Sequence, residues 1–416
     1  MIELIPVLQA ILWIFSGIFA VYMSYYGILT LFAFTRGRKY PHQAPRCRFA
    51  VLCAARNEEA VIGELVHSLK QQDYPEELFE VFVIPNNCTD NTAGAAAQAG
   101  AKLLECAFPV RSKGDVLRQV ISMLSAKDEF DAIVVFDADN VVEPGFLAAM
   151  NDAWCAGARA AQGYRDSKNP HDTAISGCYS IYYWMVNRFY SHARNAAGLS
   201  AIINGSGFMA DLNLLRRMGG WNTYTMTEDI EFTTKCILSG ERVWWVPEAR
   251  TYDEQPLTFA QSWRQRCRWS TGLFQNIERY FKPLLSGSLR RGSRACLDQM
   301  VFLLAPIMQL AWLVSLLLGG MLDVLRVHYD LFPTTELYTS LFRSVGTSFL
   351  TSAALAVLVV LIERKRVLPM MRGVLAYWAF IMSWIPINVV CLFKRDTSWK
   401  PIAHTRKVSL SELNKK

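Results

Sequence analysis

The chain has 416 residues, 52% of them hydrophobic, and 43 Lys and Arg against 36 Asp and Glu give it a formal charge of +7. That length and hydrophobicity accommodate one large α/β domain plus membrane spans. The Lys and Arg residues crowd the edges of apolar segments, which suits an anionic membrane surface and phosphorylated substrates and speaks against a nucleic-acid partner; none of the ten cysteines forms a Cys-x-x-Cys pair, which excludes a zinc or disulfide framework and leaves reduced, cytoplasmic-side core residues such as Cys53, Cys106 and Cys391.

No charge occurs from Leu4 to Thr35, a run longer than the ~20 residues a helix needs to cross a bilayer. It has no basic leader and no small-residue cleavage site, so it reads as a permanent span over residues 1–35 and not as a removed signal peptide. Arg36, Arg38, Lys39, Arg46 and Arg48 follow at once, which predicts a cytoplasmic domain over 36–257, a chain held in the cell membrane, and an amino terminus outside.

Within that domain, Phe49–Ala55 reads as a first strand ending in Ala54-Ala55-Arg56-Asn57-Glu58-Glu59, followed by a helix with apolar Val61, Ile62, Leu65, Val66 and Leu69. A second strand, Leu78–Ile84, runs into the turn-rich Asn86-Asn87-Cys88-Thr89-Asp90-Asn91-Thr92. A third, Lys102–Cys106, precedes Arg111-Ser112-Lys113-Gly114 and another helix. The run Ile133-Val134-Val135-Phe136 then reads as a strand buried on both faces, with Asp137-Ala138-Asp139-Asn140 at its carboxyl end, where open α/β sheets bind ligands. In an extended backbone Asp137 and Asp139 would point the same way and serve one divalent cation with a phosphate beside it; the competing account is that Asp139 and Asn140 merely cap a helix begun by Pro144. Strands alternating with helices predict a Rossmann-like, mostly parallel sheet whose carboxyl-end loops build one site. Neither a Gly-x-Gly-x-x-Gly after the first strand nor a Walker lysine loop is present, which argues against a dinucleotide redox enzyme or an ATPase.

Further on, an aromatic helix carries Tyr179, Tyr182, Tyr183, Trp184 and Phe189, and Asn204-Gly205-Ser206-Gly207-Phe208 forms a small-residue loop that a ligand can approach closely. Thr227-Glu228-Asp229 opens a helix. Thr227 is a good N-cap there, and the helix dipole would lower the pKa of Asp229, so a base at this place needs burial or nearby negative charge to restore its basicity. Residues 258–297 read as amphipathic interface helices with Phe259, Trp263, Cys267, Phe274, Ile277 and Phe281 in one lipid-facing stripe. Gln265, Arg268 and Trp269 lie on the opposite face, which turns the indole into the cytoplasmic domain.

Three late apolar runs, Gln299–Leu322, Ser344–Ile362 and Gly373–Phe393, are each long enough to cross, and together fill a membrane region over 298–393. The last is flanked by Arg372 on one side and by Lys394, Arg395, Lys400, Arg406 and Lys407 in the basic tail 394–416 on the other. Both flanks ask to be cytoplasmic, and Pro386 interrupts the run. A bent or re-entrant segment is therefore expected, with a full crossing as the alternative.

Asp90, Asp137-Ala138-Asp139, Thr227-Glu228-Asp229 and Gln265-Arg266-Cys267-Arg268-Trp269 stand in the order and spacing of the family 2 membrane glycosyltransferases, and the stretch from Phe49 to Tyr280 resembles that family, which includes the cellulose, hyaluronan and poly-N-acetylglucosamine synthases. The resemblance implies a GT-A fold, a UDP-sugar donor and Mg2+ or Mn2+. By resemblance, Ala54, Arg56, Asn57, Glu58 and Asp90 would hold the uridine, with Lys113 and Asp137 near the nucleotide. Gln265 and Arg268 would contact the diphosphate, and Asp139 would ligate the metal. Asp229 would be the general base, and Trp269, Glu228, Gly205 and Ser206 would meet the acceptor. The Trp399-Lys400-Pro401 tail is similar to the gating segments of these enzymes. Expected partners are the donor, a carbohydrate or lipid-linked acceptor, membrane lipids, and a second copy or an accessory secretion subunit. The first expectation for function is processive, inverting polysaccharide synthesis with secretion; the alternatives are a glycolipid synthase adding one sugar to a lipid, and an inactive scaffold or transport component.

Overall fold

The computed structural model describes residues 4–394 and 406–413. Strands β1 (Phe49–Ala55), β2 (Phe79–Pro85), β3 (Lys102–Leu103), β4 (Ala132–Phe136), β5 (Val141–Val142), β6 (Ala160–Ser167), β7 (Phe208–Asp211) and β8 (Val243–Asp253) form one sheet in the order β3-β2-β1-β4-β7-β6-β8-β5. The period-2 alternation of β1 and β4 explains why both are buried on both faces. Ala50, Leu52, Ile133 and Val135 enter one core with the helix Lys113–Ser125, while Phe49, Val51, Cys53, Val134 and Phe136 enter the other with the helix Ile62–Lys70. All ten cysteines are unpaired, and Cys53 and Cys391 are buried.

The parallel arrangement holds for β3, β2, β1 and β4. Beyond β4 the sheet is mixed: β7 runs antiparallel to β4 and to β6, and β6 pairs parallel with β8. This reversal has a consequence for the site. Because β7 runs against β4, its entry at Phe208 pairs with Val135, which brings the Asn204–Gly207 loop beside the carboxyl end of β4. The third strand is shorter than expected, since only Lys102 and Leu103 pair with β2.

The interface helix spans Phe259–Arg291 and begins at a capping box in which Thr258 and Gln261 bond reciprocally. It ends at Gly292, whose φ of 62° closes the helix in the left-handed region. Its apolar stripe does not lie on lipid alone, as the sequence suggested. Trp263, Cys267, Phe274 and Ile277 pack against Leu310, Ile387 and Cys391 of the later apolar helices, which supply the partner that periodicity alone assigned to lipid.

Among the described residues four helices are long and apolar enough to cross a membrane: Leu4–Phe32, Ala305–His328, Thr334–Ile362 and Val367–Phe393. The first packs on the second, and the third on the start of the fourth. The fourth is interrupted at Ser383, between helices Val367–Met382 and Trp384–Phe393. The cause is Pro386, which removes a donor and crowds the carbonyl four residues back. Its first half lies on the aromatic helix Ala174–Met185 with so little space that a Cβ on Gly373 would meet the Gly177 carbonyl carbon at 2.8 Å. After this segment the chain returns to the catalytic domain, where the Arg406 N–H donates to Glu254 at 3.0 Å and its guanidinium bonds Asp172. Trp399, Lys400 and Pro401 lie outside the described residues.

Candidate active site

The Asp-x-Asp acids do not continue the strand. Asn140 N–H donates to the Asp137 carbonyl at 3.1 Å, which folds residues 137–140 into a turn, and the argument from extended alternation fails for them. The capping account fails too, because the next helix starts at Phe146 with Gly145 as its cap and no side-chain bond there. Instead Asn140 is buried and braces the turn. Its Oδ1 accepts from Asp137 N–H at 3.1 Å and from the Ser206 hydroxyl, and Ser206 Oγ itself accepts from the same Asp137 N–H at 3.0 Å. Ser206, 0% exposed, therefore sits beneath the turn and does not line the acceptor space the resemblance implied.

Lys113, the first residue of its helix, donates to Asp137 Oδ1 at 2.5 Å and to the Gly205 carbonyl at 2.8 Å, tying three loops together. Burial opposes charge on Asp137, yet Lys113, Arg165 and Arg268 outweigh it and hold the carboxyl below its ordinary range. Asp139 is 5% exposed, and its Oδ2 accepts the Glu254 N–H at 2.8 Å.

The loops after β1 and β2 are pinned to each other. Asn57, at φ 57°, accepts the Thr89 N–H at 2.7 Å, and Asp90 accepts from Glu59 N–H at 3.1 Å and from the Thr92 hydroxyl at 2.5 Å. Burial would raise the Asp90 carboxyl, but these donors outweigh it and hold it low. Glu58 N–H bonds Thr92 Oγ1 at 2.9 Å, and Asn86 donates to the Ala55 carbonyl at 3.0 Å. Asn57, Glu58 and Asp90 thus stand together where the loops after β1 and β2 meet, with Ala54 and Arg56 beside them in the chain.

On the facing wall, Thr227 stands at the N-cap position but does not cap: its hydroxyl accepts instead from Asn276 at 3.1 Å. Asp229 bonds its neighbour Ile230 N–H at 2.8 Å. Burial, with the Glu228 carboxylate beside it, pushes the Asp229 pKa up to about 7, against the pull of the helix dipole. A Cβ at Gly205, where φ is 93°, would lie 3.4 Å from Asp229 Oδ2, so the glycine gives close access to this carboxylate. Glu228 lies toward the other side, its Cβ 3.6 Å from where a Gly114 Cβ would stand.

From the interface helix, Arg268 bears electrostatically on both Asp137 and Asp229. Arg268 Nε, Gln265 Oε1 and both amide atoms of Asn204 are buried without hydrogen-bond partners. Such groups are costly in a finished core and call for a ligand. Trp269 is turned inward as expected. It stands with Tyr182 and Trp384 in a trio whose ring centroids are 6.2–6.4 Å apart and whose planes lie within 36°.

Sequence reasoning missed four further residues. Lys168, 1% exposed, has no hydrogen-bond partner for its Nζ and faces Asp139; burial lowers its pKa. Arg165 bonds Asp253 and the Asn204 carbonyl and stacks over Tyr183 at 4.4 Å. Tyr182 and Trp384 complete the aromatic trio. Strand position offered a signal for Arg165 and Lys168, at the carboxyl end of β6; nothing local marked Trp384.

The donor set suits a hard divalent cation. Among the described residues no three His, Cys, Asp or Glu side chains cluster as a ready-made cage. Asp139, with Asp137 near it, offers the one or two carboxylates with which Mg2+ and Mn2+ are held when substrate phosphates complete the shell.

A sheet of this order, with paired acids at the end of its central strand and a raised carboxyl across the cleft, is the GT-A form of glycosyltransferase. Comparison with known proteins agrees, since the profile described as "Glycosyltransferase like family 2" matches residues 45–272. The chain belongs to that family. It is 27% identical to the beta-monoglucosyldiacylglycerol synthase of Nostoc sp. over 266 residues, 61% of this chain and 54% of that one. Against the poly-beta-1,6-N-acetyl-D-glucosamine synthase of Staphylococcus epidermidis it is 24% identical, over 67% of this chain and 66% of that one. The chain thus spans about half the length of the glucosyldiacylglycerol synthases it matches. In three dimensions it is similar to a mannosyltransferase from Pyrobaculum calidifontis in complex with GDP-Man and Mn2+, with a TM-score of 0.60 at 20% identity, covering 91% of this chain and 99% of the other.

Proposed function

We propose that this enzyme transfers a single sugar from a UDP-sugar to the hydroxyl of a membrane lipid, with inversion, at the cytoplasmic face. The observation that carries the reading is the opposition of Asp229, raised to about 7, to the Asp137, Asp139, Lys113 and Arg268 cluster across the Gly205 loop.

The loops around Asn57 and Asp90 take the nucleotide, and Lys113, Arg268 and Gln265 hold the diphosphate, which gives the orphaned Arg268 Nε–H an acceptor. Mg2+ or Mn2+ held by Asp139 supplies positive charge for the departing diphosphate. As the acceptor oxygen bonds the anomeric carbon, the bond from that carbon to the phosphate oxygen breaks, UDP leaves, and the acceptor proton passes to Asp229. A single carboxylate on the attack side supports direct displacement with inversion. Gly205, lacking a side chain, leaves room for the incoming hydroxyl.

Single transfer is preferred to processive polymer synthesis because the last apolar segment packs beside Trp269. Val367–Met382 is seated on the aromatic helix at Gly177, and Trp384 lies against Trp269. The similarity to glucosyldiacylglycerol synthases points the same way. The test is product analysis. Purified protein in mixed micelles with a diacylglycerol, a panel of radiolabelled UDP-sugars and Mn2+ should yield one chloroform-soluble glycolipid. A water-soluble polymer of many sugars would refute the single-transfer reading.

A further inference from the structure

The last apolar segment lies outside the family match at residues 45–272, yet polar contacts fix it to the catalytic helices on both sides of Trp384. Before the indole, Arg266 donates to the Phe380 carbonyl and the Ser383 hydroxyl, both at 2.8 Å, and Gly373 sits on Gly177. After it, Ser270 bonds Asn388 at 2.5 Å and Asn388 donates to Gln309. Buried polar groups in so apolar a segment are expensive unless paired, and pairing of this kind specifies register. What it fixes is the position of one ring. Trp384, Trp269 and Tyr182 each remain half-buried although the segment is docked, so their edges stay partly open. A short chain of contacts joins them to the surroundings of Asp229. Tyr183, next to Tyr182, carries the Arg165 guanidinium, whose NH1 would lie 3.8 Å from a Gly205 Cβ, the same point that is 3.4 Å from Asp229 Oδ2.

We propose that Trp384 is an acceptor-side binding residue. With Trp269 and Tyr182 it forms an aromatic wall that holds the apolar shoulder of an uncharged, hydroxyl-headed lipid while the hydroxyl reaches Asp229. This rests on the single-transfer reading. The class follows from the wall itself: its three rings offer apolar area, Arg165 is committed to Asp253 and the Asn204 carbonyl, and Arg266, 5.4 Å from the Trp384 ring centroid, is buried and bonded to the Phe380 carbonyl and Ser383, away from the ring edges.

The test compares parent, Trp384→Ala and Trp384→Phe with a diacylglycerol in mixed micelles at saturating UDP-sugar. Trp384→Ala should raise the acceptor KM roughly tenfold with the donor KM unchanged. Trp384→Phe should recover most of the loss. An unchanged acceptor KM, an equal rise in donor KM, or preference for a polyprenyl phosphate over the diacylglycerol would overturn the proposal. Should Trp384→Ala fail to fold, a diazirine-bearing diacylglycerol crosslinked to the parent protein decides the matter. Adducts on the peptides holding Tyr182 and Trp384 support the wall, and adducts confined to the outer helix faces overturn it. A parent protein that makes no glycolipid from any UDP-sugar refutes the single-transfer reading itself; glycolipid synthesis indifferent to Trp384 refutes only this inference.

Discussion

Asp229 is the proposed general base, and its environment makes two predictions. A base with a pKa near 7 is active when deprotonated, so kcat should rise with pH through about 7 and level off above it. A profile flat from pH 5.5 to 8.5 would remove it from that role. Asp229→Asn should lower transfer by roughly 10²–10⁴-fold with UDP-sugar binding retained. The same change should stabilise the free protein at pH 8. The folded state binds the Asp229 proton more tightly than the unfolded chain, so stability contributed by the protonated form is lost as pH rises through the folded pKa, and an amide escapes that loss. A melting temperature at pH 8 no higher than the parent's would contradict the burial of this carboxyl. That the Asp137-Ala138-Asp139 turn, Asp229, Lys113 and Arg268 come near one another was legible because short motifs carry them. Ser206 was misassigned and Lys168 and Trp384 overlooked because their partners are distant in sequence: Ser206 owes its burial to Asn140, and Trp384 its place to Arg266 and Asn388.

At the scale of elements, the interface helix fixes the loop that leads into Asp229, the proposed base. It crosses the loop before Asp229 at Gly272, where a Cβ would stand 2.4 Å from Thr227 Oγ1 and 2.7 Å from Thr227 N, and Asn276 one turn on bonds Thr227. Gly272→Ala should therefore displace Thr227-Glu228-Asp229 and cost about 10²-fold in kcat, with far-UV circular dichroism unchanged. Activity within twofold of the parent would show that the crossing tolerates a methyl group. Strands β1, β2 and β4 were readable because β-branched and apolar runs buried on two faces have few other uses. The reversal at β7 was not. Four residues after a glycine loop carry no signal of direction, which is fixed by pairing with β4 and β6. The break in the last apolar helix was readable from Pro386. Its docking on the aromatic helix was not, because Gly177 and Gly373 reveal their contact only once both helices are placed.

For the whole molecule, the contacts of Arg406 with Glu254 and Asp172 bring it against the domain that carries the site, which predicts that residues 406–413 share that domain's side of the membrane. A single cysteine at Ser409 in a cysteine-free background should be labelled by a membrane-impermeant maleimide in inside-out vesicles and not in right-side-out ones. Labelling only from outside would mean that Val367–Phe393 crosses fully. Charge gave the right question here, since both flanks of that segment are basic, but only packing supplies an answer. The central claim is one metal-assisted sugar-transfer site shared by Asp139 and Asp229 beneath the membrane helices. It is tested most directly by measuring UDP release from UDP-sugars in vesicles containing diacylglycerol, with and without EDTA, for the parent, Asp139→Asn and Asp229→Asn. The account predicts release that requires Mg2+ or Mn2+ and is lost in both variants, whereas parent-level release in either variant, or release indifferent to EDTA, would contradict it.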